Sequence, residues 1–267
     1  MIPERFEKAF AAAMSSDTAP MEAVLRYVAG AKGKRLRPEL VYLTARLFGE
    51  VNESTDRTAL FVEMIHTATL IHDDVVDASD ERRGQASVNA RWDNTTAVLA
   101  GDFLLSKAML LLSHPEDHAI LEEMLQTTLA MSEGELMQNG KLRAENGELR
   151  AESGELYLEI IGRKTAQLIR ACCVGGAMTV LSDNTEDRRQ KLELIGEFGL
   201  NLGLVFQMRD DILDADNAEH VAMAELLLPE YIKKALKALE ALTPFVTDQQ
   251  ALSSLKELIV FCAERNH

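Results

Sequence analysis

Two aspartate clusters, Asp73-Asp74-Val75-Val76-Asp77 and Asp210-Asp211-Ile212-Leu213-Asp214, each close a strongly apolar run that reads as a buried helix. Burying an ionised carboxylate costs several kcal/mol unless something positive stands beside it, so these helix ends ask for a cation. In a helix the outer aspartates, Asp73 with Asp77 and Asp210 with Asp214, are i and i+4 neighbours on one face. The partial negative charge of a helix C-terminus adds to theirs. Oxygen donors without histidine or cysteine suit a hard ion, and Mg²⁺ commonly takes one or two carboxylates together with water and substrate phosphates. The expected ligand is a metal diphosphate. One such cluster alone reads equally well as a solvated helix end or a partner for nearby arginine; two copies, each behind an apolar helix, favour the metal.

Positive charge is scarce enough for its placement to matter. With 28 Lys and Arg against 43 Asp and Glu the net charge is −15, which argues against an extended nucleic-acid surface. Against that background Lys34, Arg35 and Arg37 in one short stretch, and Arg82-Arg83 in another, form two local anion sites. Each has a plainer reading as a solvated basic loop.

The elements that position these groups are helical. Apolar residues make up 47% of the chain, only six prolines interrupt them, and spacings of three and four dominate. Aromatics are 5%, and no Asn-Gly or Asp-Gly turn joins two alternating apolar runs, so no hairpin is expected and the fold class is all-α. Helices are predicted over residues 4–30 (one or two), from Pro38 to Phe48-Gly49, 54–77, 95–113, 116–138, 155–181, 185–214, 229–242 and 248–264. The run 54–77 is apolar nearly all round and reads as a central helix. Residues 142–155 carry a heptad twice, LRAENGE then LRAESGE, whose glycines favour an exposed, loosely ordered junction. No linker divides the chain, so residues 1–267 are expected to form a single domain. Cys172, Cys173 and Cys262 fit no disulfide or metal framework, no signal peptide is legible, and no stretch of 18 uncharged apolar residues occurs. A soluble cytoplasmic protein is the expectation.

Outward from the aspartates stand GKRLRP at 33–38, ExxHxAxLIHDDVVD at 63–77, DxRRG at 80–84, GDFLLSKA at 101–108, EGEL at 133–136, RKTA at 163–166 and GxxFQxRDDxLD at 203–214. This ordered set, from about residue 30 to 214, resembles the trans-isoprenyl diphosphate synthases, the polyprenyl synthetase family. The resemblance implies a single-domain all-α bundle of the isoprenoid-synthase type around a deep central cavity, usually a homodimer, that condenses isopentenyl diphosphate with an allylic diphosphate. It implies that Asp73, Asp74, Asp77, Asp210, Asp211 and Asp214 hold roughly three Mg²⁺ ions around the allylic diphosphate, which Arg82, Lys164 and Thr165 also bind. Lys34, Arg37, His66 and Arg83 would hold isopentenyl diphosphate, and Gln207 would lie near the reacting centre. A long-chain bacterial-type polyprenyl (octaprenyl-like) synthase would also associate transiently with a membrane to release its product. The chemistry agrees: breaking an allylic C–O bond needs a neutralised leaving group in a low-dielectric site, and isopentenyl diphosphate supplies its own π-electrons, so no nucleophilic side chain is required.

Each accessory residue has a plainer reading. His66 serves as a satisfied core histidine, Lys164 and Thr165 as helix surface, and Gln207 as a core amide. Chain length turns on the residues four and five before Asp73, Thr69 and Ala68, about one turn below the metals. Short-chain members of the resembling family often place bulky aromatics there, so these small residues suggest an open tunnel and a product of more than about twenty carbons. The family normally follows the second cluster with a polar loop bearing two Gly-Lys pairs around an Asp. Here Ala215-Asp216-Asn217-Ala218-Glu219 runs almost directly into Val221; if the loop is deleted, a lysine that covers the diphosphate is lost. The alternatives are a short-chain farnesyl or geranylgeranyl diphosphate synthase and a non-catalytic regulatory subunit of a heteromeric synthase. A terpene cyclase has no need of the second anion site.

Overall fold

The computed structural model describes residues 2–31, 33–140, 154–182 and 185–264. In chain order its elements are α1 (Glu4–Ala13), α2 (Ala19–Ala29), α3 (Leu36–Phe48), α4 (Glu53–Val76), β1 (Glu81–Arg82), β2 (Gln85–Ala86) and α5 (Val88–Arg91). There follow α6 (Asn94–Leu111), α7 (His118–Gly140), α8 (Gly154–Ile161), α9 (Gln167–Met178), α10 (Glu186–Asp214), α11 (Ala218–Ala241) and α12 (Gln249–Glu264). The all-α expectation holds, with strand limited among the described residues to the four of β1 and β2. The repeated heptad at 142–155 lies almost wholly outside the described residues.

Three departures have physical causes. A minimal hairpin does form: β1 and β2 pair antiparallel, and Arg83 (φ 54°) with Gly84 (φ 76°) supplies the two positive-φ residues of a type I′ turn. Arginine occupies the place where asparagine is the familiar signal, so the turn is invisible to a search for Asn-Gly. The helix predicted over 155–181 is three pieces, α8, a π-helical turn at Gly162–Ala166, and α9. The helix predicted from Pro229 begins at Ala218 and runs through that proline. Asn217 starts it, its Oδ1 accepting from the amides of Glu219 (2.9 Å) and His220 (3.3 Å).

The chain groups into two compact units. One comprises Met1–Glu39 with Glu53–Leu121, the other Leu40–Asn52 with Glu122–His267. In the first, α4 is buried on all sides along Ala59–Ile65 and packs on α6, with α1 and α5 against it. In the second, α10 is the axis, with α9, the π turn, α11 and α12 around it. Gly134 and Gly203 flank the π turn closely: a Cβ on Gly134 would lie 2.7 Å from the Lys164 amide nitrogen, and one on Gly203 2.5 Å from Ala166 Cα. Cys172 and Cys173 are core; burial, then the neighbouring Cys172, pushes the Cys173 thiol well up. Among the described residues no single helix is long and apolar enough to cross a membrane.

Candidate active site

The two aspartate clusters are built alike, each within its own unit. Ala78 (φ 49°), two residues past the end of α4, and Ala215 (φ 53°), at the end of α10, put a left-handed residue directly after the last aspartate in both. The Ser79 amide bonds to the Asp74 carbonyl at 2.9 Å, and the Ala215 amide to the Asp211 carbonyl at 3.2 Å. In both cases the middle aspartate is turned inward by its own partner. Of the outer ones, Asp73 and Asp210 are half-buried and Asp77 and Asp214 exposed.

In the first unit Asp74 is buried, and its Oδ1 accepts from Arg82 Nε (2.7 Å) and Nη2 (2.5 Å). That pair pins the Arg82–Arg83 hairpin to the end of α4. Tyr27 Oη bonds to the Ala86 carbonyl at 2.7 Å and Ser87 Oγ to the Ser79 carbonyl at 2.6 Å, fixing the same loop. The Arg83 side chain lies against Gly33, where a Cβ would be 3.0 Å from its Nη1. Arg35 is a tether: Nη1 reaches the buried Glu63 at 2.5 Å, Nε reaches Glu7 at 3.2 Å, and the guanidinium lies 4.3 Å over the Phe10 ring. Arg35, Asp74, Arg82, Arg83 and Gln85 share a cavity with Tyr27, Leu70 and Ile71.

His66 lies among these cations. Burial, then the charges of Arg37, Arg83, Arg82 and Arg35, holds its imidazole well below the usual histidine range, so it is neutral near pH 7. Of these arginines Arg82 is paired with Asp74, and Arg35 with Glu63 and Glu7. Lys34 is exposed and Arg37 half-buried at the start of α3. Ala68 is fully buried on α4, and Thr69 is half-buried, its Oγ1 donating to the His66 carbonyl at 3.0 Å.

In the second unit Lys164 and Thr165 sit in the π turn, an irregularity that often marks functional sites. Lys164 Nζ pairs with Glu135 at 2.7 Å. Thr165 Oγ1 donates to Gln207 Oε1 at 2.7 Å, Gln207 Nε2 donates to Asp211 Oδ1 at 2.8 Å, and Tyr157 Oη donates to Asp211 Oδ2 at 2.6 Å. The structure therefore joins Thr165, Gln207 and Asp211, three predicted site residues from two separate motifs. The sequence reading missed Glu63, Glu135 and Tyr157. Glu63 and Glu135 lie inside quoted motifs, whereas Tyr157 carries no signal beyond being a polar ring in an apolar helix. α10 passes to α11 through Ala215, Asp216 and Asn217 in place of the longer polar loop, so no lysine stands there. Among the described residues no three His, Cys, Asp or Glu side chains converge into a ready-made metal cage.

Residues 18–223 match the model of the polyprenyl synthetase family. The chain is 40% identical over 202 residues to an all-trans-nonaprenyl-diphosphate synthase (geranyl-diphosphate specific) of Rhodobacter capsulatus, covering 75% of this chain and 59% of that protein. It is 37% identical over 188 residues to an octaprenyl diphosphate synthase of Haemophilus influenzae, covering 70% of this chain and 54% of that protein. The chain thus spans less than two thirds of the length of these curated relatives. Among solved structures it is similar to a polyprenyl synthase from Caulobacter crescentus, complexed with calcium and isoprenyl diphosphate, at a TM-score of 0.84 and 29% identity over 98% of this chain and 94% of that one.

Proposed function

Because this chain belongs to the polyprenyl synthetase family, we propose that it is a prenyltransferase condensing isopentenyl diphosphate with an allylic diphosphate into a trans-polyprenyl diphosphate longer than C20. The observation that carries the reading is the repeated build of the aspartate clusters: middle carboxylate tied inward, outer pair i and i+4 at a left-handed stop. The donor set fits magnesium, which takes few carboxylates and completes its shell with water and phosphate oxygens. Asp73, Asp74, Asp77, Asp210, Asp211 and Asp214 would hold it, Asp74 and Asp211 also keeping the inward partners already described. When bound, magnesium neutralises the charge that develops on the leaving diphosphate.

The remaining work falls to the chain's own groups. Arg82 is oriented by Asp74 through Nε and Nη2, and Nη1 takes no part in that pair. With Lys164 and Thr165 it binds the allylic diphosphate. Lys34, Arg37, Arg83 and the neutral His66 bind isopentenyl diphosphate. Gln207, held by Thr165 and Asp211, stands at the reacting centre, and the departing pyrophosphate removes the final proton. The relatives' nonaprenyl and octaprenyl products, with Ala68 and Thr69 small, support the longer product.

The reading extends to a single cytoplasmic domain, roughly three Mg²⁺ ions, transient membrane contact at product release and a homodimer. Leu99 and Leu110 on α6 are 56% and 68% exposed, which supports burial against a second copy. The test is incubation with Mg²⁺, isopentenyl diphosphate and allylic primers of several lengths, followed by product sizing. Wild type should make polyprenyl diphosphate, and Asp73→Asn or Asp210→Asn should nearly abolish it with an unchanged far-UV circular dichroism spectrum. Wild-type protein with no metal-dependent turnover would instead favour a non-catalytic subunit.

A further inference from the structure

Tyr157 is fully buried on α8 among Ile161, Ala166, Leu204, Met208 and Ala224, and the assigned roles make no use of it. A buried hydroxyl requires a partner, and this one donates at 2.6 Å to a carboxylate adjacent to Asp210. A carboxylate only accepts, so Gln207 must give its amide nitrogen to Asp211 and keep its oxygen for Thr165. The phenolic proton holds Asp211 in place, and Asp211, as an acceptor, sets the Gln207 amide orientation and through it the Thr165 hydroxyl. The His220 ring tilts against the phenol at 5.3 Å between centroids and covers it from α11.

We propose that Tyr157 is a positioning residue for the metal diphosphate: by holding Asp211 it fixes the last turn of α10, and with it the spacing of Asp210 and Asp214, and through Gln207 it directs the Thr165 hydroxyl. The phenol acts through Asp211 and touches neither substrate nor metal. This inference rests on the reading of the second cluster as a magnesium diphosphate site.

Tyr157→Phe keeps the ring and removes one O–H. Titration calorimetry with inorganic pyrophosphate should show the magnesium concentration for half-maximal binding rising about tenfold, the scale of one charge-assisted hydrogen bond. kcat should fall by a similar factor while KM for isopentenyl diphosphate stays at the wild-type value. Tyr157→Phe combined with Asp211→Asn should be no worse than Asp211→Asn alone, because one acts through the other. In wild-type protein labelled with 3-fluorotyrosine, which has four tyrosines to assign, the Tyr157 fluorine resonance should move with magnesium and pyrophosphate together and with neither alone. That measurement holds even if the variant fails to fold. A wild-type magnesium midpoint in Tyr157→Phe, multiplying losses in the double variant, or a still resonance each overturns the positioning role. Wild type that binds no pyrophosphate at any magnesium concentration overturns the metal-diphosphate reading, and this inference with it.

Discussion

Arg82→Ala should destabilise the protein more than Asp74→Asn, and adding Asp74→Asn to Arg82→Ala should recover part of the loss. The asymmetry comes from burial: the Asp74 side chain is 4% exposed and the Arg82 side chain 38%. Unit charges about 4 Å apart attract by about 4 kcal/mol at an effective dielectric near 20. Water and salt around Arg82 reduce the net value to about 1–3 kcal/mol. Deleting the guanidinium leaves a buried carboxylate without its counter-charge, for which about 3 kcal/mol is the scale. Deleting only the charge of Asp74 leaves an amide oxygen that still accepts, at about 1 kcal/mol. The double variant orphans no buried charge and should fall between, at about 2 kcal/mol. Urea unfolding followed by Trp92 fluorescence suits the question. Trp92 is the chain's one tryptophan, and its ring lies 5.3 Å from Tyr27, whose hydroxyl is bonded to β2. Additive losses, or a larger loss for Asp74→Asn than for Arg82→Ala, would refute Asp74 as the buried counter-ion that orients Arg82.

Arg83→Asn should stabilise the hairpin by about 0.5–1 kcal/mol, because asparagine tolerates the left-handed turn position better. It should also raise KM for isopentenyl diphosphate well above any change for the allylic primer; steady-state kinetics and urea midpoints on one preparation check both. For His66 the folded pKa is depressed, so below about pH 6.5 the unfolded chain takes up a proton that the folded one refuses, and stability drops by about 1.4 kcal/mol per pH unit until the folded value is reached. His66→Gln should remove that slope, seen as a wild-type-minus-variant difference in urea midpoint that shrinks between pH 7 and 5. Ala68→Phe, at a fully buried position, should shorten products to about three or four isoprene units at a cost of about 1–3 kcal/mol. Chromatography of the dephosphorylated products would show it, and unchanged lengths would remove Ala68 from the tunnel.

What was legible in the sequence follows the range of the interaction concerned. α4 and α10 were placed within a residue or two because apolar patterning and an aspartate stop are local properties. The inward role of the middle aspartates was not, since Asp211 is set by Tyr157, 54 residues away, and nothing in an apolar helix distinguishes a tyrosine that bonds from one that packs. Glu63 stood inside a quoted motif, yet its partner Arg35 is 28 residues off, and only the fold joins them. The π turn was hidden because its five residues keep the apolar spacing of a plain helix to within one position. Pro229 misled for the opposite reason: the local rule places proline at helix starts, but the Asn217 cap and the packing of α11 on α10 override it.

The left-handed stops at Ala78 and Ala215 also mark where heat tolerance could be engineered at little expense. A left-handed residue with a Cβ carries a penalty of roughly 1–2 kcal/mol, which glycine does not feel. Natural helices commonly end on glycine at this position. Both alanines lie next to the chemistry, yet neither supplies a charge, a hydrogen-bonding side chain or a wall to it. Ala78→Gly and Ala215→Gly should each raise the melting temperature, less the extra freedom that glycine gives the unfolded chain. Relieving the same strain at Arg35 (φ 53°) or Arg83 would instead remove a side chain in use, the tether to Glu63 and Glu7 in one case and the proposed isopentenyl diphosphate contact in the other.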